Sequence, residues 1–229
     1  NTDGSITSTV QANTKAGFSI VEFTGINSAT TATVGHGLGK APTFIIHKSV
    51  NTSAWHLVRG VPGMPVSYVR DLNPNGSPTD VSGNGGALVA PTSSVFNINN
   101  TTGIGGGGYT YVAYCWAPIE GYSKFGTYTG NGESDGPFIY TGFRPQIVLF
   151  MGYAYGIENF IFDNKRNTSN PITTYVRWGR SSQEATHTHC DFLANGFKIR
   201  NTGGDYNGST GLFMYMAWGD VPFKYNNTH

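Results

Sequence analysis

A chain of 229 residues with 14 basic and 13 acidic side chains, a formal charge of +1 and no block of like charge lacks the electrostatic footprint of nucleic-acid binding or of docking on an anionic membrane. No apolar run approaches the roughly 20 residues a membrane helix needs, and the two cysteines, Cys115 and Cys190, are too few for a disulfide scaffold and read as buried free thiols. With 32 glycines, 14% aromatic and 12% charged residues, and no capped window of apolar positions at helical spacing, the composition predicts an all-β protein of short strands and tight turns.

The N-terminal NTDGSITSTV has no charged n-region, no apolar h-region and no initiator methionine. Residues 1–16 therefore read as a linker or a strand from an upstream domain of a longer polypeptide. Strand candidates follow between Gly, Asn and Pro punctuation: GFSIVEFTG (17–25), PTFIIHKS (42–49), SAWHLVRG (53–60), SSVFNINN (93–100) and YTYVAYCWA (109–117). The second half continues with GYSKFGTYTG (121–130), GPFIYTGF (136–143), PQIVLFMG (145–152), ENFIFDNK (158–165), NGFKIRNT (195–202) and GLFMYMAWG (211–219). PTFII and QIVLF are apolar at successive positions, as strands covered on both faces are.

In two columns these strands repeat. GFSIVEFTG matches GYSKFGTYTG, SAWHLV matches ENFIFD, SVFNINNTTG matches NGFKIRNTGG and YVAYCWAPI matches FMYMAWGDV. Gly17 to Gly121 is 104 residues, Pro42 to Pro145 is 103 and Trp116 to Trp218 is 102. A near-constant offset across elements in one order indicates a duplicated unit. The expectation is two tandem, similar antiparallel β-sandwich units, 17–118 and 119–229. Pro118–Glu120 is too short a spacer for free tumbling, so the units should dock or share part of a core. The middles differ: 61–91 is rich in Pro, Gly and Asn, while 166–190 carries charge and histidine.

YVAYCWAPIEGYSKFGTYTGNGESDGPFIYTGFRP (111–145), the FDNKRN segment, DFLANGFKIR and MAWGDVPFKYNN together resemble a domain repeated in virion proteins of marine tailed bacteriophages. GFSIVEFTG, VGHGLGKAPTFIIHK and APTSSVFNI resemble the preceding copy in the same family, so the resemblance runs from about Ser8 to Tyr225. Members occur in tail-fibre, tail-spike and other host-contacting polypeptides. The resemblance implies concanavalin-like (jelly-roll) β-sandwiches arrayed on a virion tail appendage, a homotrimer with other virion proteins as partners, and adhesion to bacterial cell-surface polysaccharide. It supplies no catalytic motif, and no enzyme activity or obligatory cofactor is expected. A non-binding virion spacer and a polysaccharide-degrading tail spike are the alternative expectations.

Four constellations are candidates for chemistry. DLNPNG opens like a calcium loop, with Asp71, Asn73 and Asn75 presenting oxygens, Gly76 at the turn and Asp80 beyond; but Ser82 stands where an EF-hand needs Glu, and a polar turn is the competing reading. THTHCD puts His187 and His189 on one strand face beside Cys190 and Asp191. Two imidazoles begin a zinc or iron site that a three-fold assembly would complete; otherwise they belong to a solvated edge strand. Glu133 and Asp135 lie in a glycine-rich turn, and nothing in the spacing sets either against Glu158 or Asp163 as a glycosidase pair. Tyr153, Tyr155 and Trp178 stand in Gly- or Arg-rich contexts beside Arg180. They read as sugar-stacking rings, or as rings packed against a neighbouring subunit or the adjacent sandwich.

Overall fold

A computed structural model of the chain describes residues 1–27, 31–51, 55–72, 78–83, 86–100, 104–153, 158–178 and 181–220, with the backbone alone at 55–58. The fold is all-β, with antiparallel strand pairing throughout its sheets and one helix of four residues, Gly204–Asn207 (α1), among the described residues. The chain forms two compact units, Asn1–Pro118 with Tyr153–Gly156, and Ile119–Gly152 with Ile157–His229.

The first unit contains β1 (Ser8–Asn13), β2 (Phe18–Thr24), β3 (Ala32–Gly35), β4 (Phe44–Ser49), β5 (Trp55–Arg59), β6 (Tyr68–Asp71), β7 (Pro78–Asp80), β8 (Val95–Ile98) and β9 (Thr110–Trp116). Seven of these form a sheet in the order β1-β2-β9-β4-β5-β6-β7, and β3 pairs with β8. FSIVEFT and TYVAYCW alternate buried with more exposed residues, so one face of each strand enters the core. That face carries Val21, Phe23, Tyr111, Ala113 and Cys115, which join Val34, Phe96 and Ile98 of the β3–β8 pair in one cluster. β4 is buried at almost every position, as its continuous apolar run predicts. Residues 8–13, within the segment set apart as linker or upstream strand, pair with β2 over six residues.

The second unit contains β10 (Ser123–Thr129), β11 (Phe138–Tyr140), β12 (Pro145–Gly152), β13 (Asn159–Asp163), β14 (Ile172–Trp178), β15 (Ala185–Leu193), β16 (Gly196–Ile199) and β17 (Leu212–Gly219). All eight belong to one sheet, ordered β10-β17-β12-β13-β14-β15-β16-β11, which curls into a nearly closed barrel. Its two edge strands are linked by Lys124, whose Nζ donates to the Tyr140 carbonyl at 2.8 Å. One aromatic cluster, with Tyr128, Phe150, Phe162, Phe192, Phe197 and Phe213 among its members, fills the interior.

The strand order of the second unit repeats that of the first. β2-β9-β4-β5-β6-β7 and β8-β3 correspond to β10-β17-β12-β13-β14-β15 and β16-β11. The difference lies between the sixth and seventh members. β15 is nine residues long and turns into β16 with Leu193 opposite Gly196, a tight hairpin. β7 is the three-residue PTD, and 14 residues separate it from β8, so no such hairpin forms and the sheet divides there. This is where the two halves of the sequence diverge.

Candidate functional site

The structure describes some of the expected site residues, each within its own unit. Asp71 ends β6, half-buried, and Asp80 ends β7 with its carboxylate accepting the Ser82 N–H at 2.9 Å, an Asx-type turn. Asn73 and Asn75 lie outside the described residues. Among the described residues no group of three or more His, Cys, Asp or Glu is placed to hold a metal ion. Tyr153 belongs to the first unit, its ring 6.3 Å from that of Tyr68. Trp178 ends β14 in the second unit, half-buried and opposite Asn159 in register. Tyr155 and Arg180 lie outside the described residues.

His187 and His189 do share a face, with ring centroids 5.5 Å apart, but the solvated-edge reading is corrected. β15 lies inside the sheet between β14 and β16, so its inward residues enter the barrel. His189 is 2% exposed and enclosed by Phe162, Tyr206 and Tyr175 at 4.6, 4.6 and 4.7 Å between centroids. Neither of its ring nitrogens has a hydrogen-bond partner among the described residues. Burial, reinforced by His187 and Arg177, brings its pKa down to about 3, so the ring is neutral and aromatic in role. His187 is exposed, and its Nδ1 lies 2.8 Å from the Asn201 amide nitrogen.

The arrangement that suits binding is on the opposite face of β11. Ile139 points into the core while Phe138 and Tyr140, two residues apart, point outward and are 45% and 59% exposed. Phe138 lies over Gly196, where a β-carbon would come within 2.9 Å of the ring and would also collide with the Ile139 carbonyl oxygen. Glycine there lets the ring approach the neighbouring strand closely. The Lys124 ammonium sits 5.1 Å from the Tyr140 ring centroid, a cation over an aromatic face.

Beside the two rings runs a line of paired charges. Lys198 faces Phe138 in register, and its Nζ lies 2.9 Å from the Asp135 carboxylate. Arg200 reaches Asp135 at 3.1 Å through Nη1 and Asp191 at 2.6 Å through Nε. Hydrogen bonding and charge from Lys198, then Arg200, hold the exposed Asp135 carboxyl below its ordinary range. The result is two open aromatic faces flanked by fixed donors and acceptors. Rings of this kind stack on the C–H faces of a ligand while the charged groups take its hydroxyls. Sequence reading sought aromatics in loops and passed over GPFIYTGF as a strand. The available signal was the aromatic–apolar–aromatic alternation of Phe138, Ile139 and Tyr140.

The chain belongs to the family described as Domain of unknown function (DUF7483), whose model matches residues 1–222 and so spans both units. No curated protein and no solved structure matches the chain.

Proposed function

We propose that the chain is a virion protein of a tailed phage, the host-contacting part of a tail fibre, and that it binds bacterial cell-surface glycan through the Phe138–Tyr140 face. The observation that carries this reading is the exposed aromatic pair on β11, seated on Gly196 and bordered by Lys124, Lys198, Asp135 and Arg200. The resemblance of residues 111–145 and the later segments to phage virion domains supplies the biological setting. We read the two units as tandem copies of one concanavalin-like (jelly-roll) β-sandwich, the second with its layers joined by the β15–β16 hairpin; the shared strand order supports this. The assembly would be a homotrimer held among other virion proteins. Repeated copies on one virion raise weak individual contacts by effective concentration. The function is adhesion and needs no catalytic residue, metal or cofactor.

Binding of the fluorescently labelled chain to a panel of marine bacterial cells, with and without periodate, tests this. Saturable binding that periodate abolishes, reduced at least about tenfold in Phe138→Ala/Tyr140→Ala with folding intact, is the expected result. Stacking losses of about 1–3 kcal/mol per ring are of that order. Periodate-resistant binding, or binding indifferent to the double substitution, sinks the glycan reading. Loss of self-association in place of cell binding moves the face to the spacer alternative.

A further inference from the structure

We propose that the ligand of the Phe138–Tyr140 face is an acidic polysaccharide, its sugars bearing carboxylate or sulfate ester groups, and that the Lys124 ammonium takes the negative charge. This rests on the glycan reading above and names the class of sugar. The observation behind it is a set of exchanges between the two units. At matching register, Lys124 opposite Ala217 stands where the first unit has Ser19 opposite Cys115. Lys198 opposite Phe138 stands where it has Asn97 opposite Thr33. Two residues further along each chain segment, Arg200 stands where it has Asn99.

In the first unit Ile6 bridges Val34 and the Ser5 N–H donates to Thr33 Oγ1, and there the three side chains are neutral and buried. The asparagines serve the backbone: Asn97 Oδ1 accepts the Val89 N–H at 3.0 Å, and Asn99 Nδ2 donates to the Val81 and Gly86 carbonyls at 3.0 and 3.1 Å. The strand arrangement thus needs no charge at these places. In the second unit all three are cations, and they border the two open rings.

Two of the three are matched within the chain. Lys198 and Arg200 share Asp135 Oδ1, and Arg200 also holds Asp191, so two positive charges meet two negative ones. Lys124 has no carboxylate partner among the described residues. Its Nζ makes one hydrogen bond, to the Tyr140 carbonyl at 2.8 Å and open to solvent, and stands 5.1 Å from the Tyr140 ring centroid. Two of its three N–H groups remain for a ligand. Three cations less two carboxylates leave one unmatched positive charge, and it lies at Tyr140.

The face therefore has a polarity along β11. Asp135 lies towards Phe138, through Lys198, and its 79% exposed side chain keeps Oδ2 for sugar hydroxyls. Lys124 lies at the Tyr140 end. Residues two apart on a strand are roughly 7 Å apart, so a sugar chain laid along β11 meets a hydroxyl acceptor at one end and an ammonium at the other. A lysine is a compact point charge without the planar fork of an arginine, so it accepts carboxylate and sulfate alike.

The test is calorimetric titration of the full chain with three pairs of polysaccharides: polygalacturonate and alginate, each beside its carboxyl-reduced form, and dextran sulfate beside dextran. The acidic member of at least one pair is expected to bind about three- to tenfold more tightly than its neutral partner in about 0.1 M salt. The preference should shrink in about 1 M salt, where the Debye length falls from about 10 Å to 3 Å. The uronates against dextran sulfate show which anion is preferred, and a preference in either supports the proposal. Lys124→Met, which keeps the aliphatic stem, should bring the members of each pair within about twofold of each other, and Lys124→Arg should keep them apart. Should Lys124→Met fail to fold, the salt dependence of the parent chain decides. Equal affinities within every pair, a preference indifferent to salt, or one retained by a folded Lys124→Met overturns the acidic assignment. Periodate-sensitive binding to cells alongside such a result leaves the glycan reading standing with a neutral sugar; without it, both fall.

Discussion

The two units arrange their strands in one order but close it at different seams. In the first, β1 lies along β2, and the residues before it reach across to β3, where Ile6 bridges Val34 and its N–H donates to the Thr33 carbonyl at 3.2 Å. In the second, β10 and β11 have no such strand between them among the described residues, and Lys124 spans the gap. Register makes Thr33 and Gly35, opposite Asn97 and Val95, the counterparts of Phe138 and Tyr140, opposite Lys198 and Gly196. Thr33 is engaged by Ser5 through two hydrogen bonds of 2.8 Å, and a β-carbon on Gly35 would collide with the Asn1 side chain. The N-terminal segment thus covers in one unit the face that the other leaves open with two aromatic rings. The proposed binding face is a seam left uncovered.

The interiors teach a second lesson. Phe23 stacks on Tyr111 at 5.5 Å in the first unit, and Tyr128 stacks on Phe213 at 5.3 Å at the matching register in the second. The hydroxyl has changed partners, yet each reaches a buried carbonyl: Tyr111 donates to Gly106 at 2.8 Å and Tyr128 to Tyr206 at 2.6 Å. His47 meets Phe96 edge-on at 5.4 Å and 79°, where Phe150 meets Phe197 at 5.3 Å and 89°. Backbone register sets the ring geometry, and the residue types are interchangeable within it. Arg59 opposite Ile45, against Phe162 opposite Val148, is the departure that packing does not explain.

The sharpest way to break this comparison is to exchange that departure. Phe162→Arg puts an unpaired cation in a barrel whose neighbours are aromatic, and should cost about 3–5 kcal/mol or abolish folding, read from urea denaturation. A loss below about 1 kcal/mol would show that the second core tolerates charge as the first does, and the contrast would disappear.

Next in size is pH. His36 is fully buried; its Nδ1 lies 3.2 Å from the Leu38 N–H, which it accepts, and its Nε2 lies 3.1 Å from the Thr92 carbonyl, to which it donates, so the folded state uses the neutral tautomer. Burial lowers its pKa, lowers that of His47 further, and brings His189 to about 3. In the unfolded chain each titrates near 6.5. Above that value both states are neutral and stability is complete. Below it the unfolded chain binds protons that the folded chain refuses, so stability falls as pH drops toward the folded values. Each histidine contributes a slope of up to about 1.4 kcal/mol per pH unit. His47→Phe, which copies Phe150, should remove one share of that slope. Urea midpoints unchanged between pH 7.5 and 5 would contradict the buried neutral rings.

The smallest effect sharpens the symmetry of the stacks. Tyr111→Phe and Tyr128→Phe each remove one hydroxyl from a buried carbonyl and should cost similar amounts, about 1 kcal/mol. Costs differing by more than about 2 kcal/mol would mean that the two stacks are not equivalent supports.

Much of the fold was legible in the residues themselves. The alternation in FSIVEFT and TYVAYCW, the unbroken apolar runs at 44–46 and 147–151, and the offset between Trp116 and Trp218 follow from local geometry and a period of two, and all are visible in one dimension. Which pairs of strands meet at a seam is not. That depends on whether a turn is short enough to close a hairpin, as at Leu193–Gly196, and on where a terminal segment finds unpaired backbone, as Ile6 does beside Val34. The tertiary structure alone therefore decided that His189 is an interior ring, that Arg59 is a buried cation with no hydrogen-bond partner among the described residues and that Phe138 and Tyr140 face outward. The physical reason is that alternation separates the two faces of a strand, whereas coverage by other elements decides which of those faces water reaches.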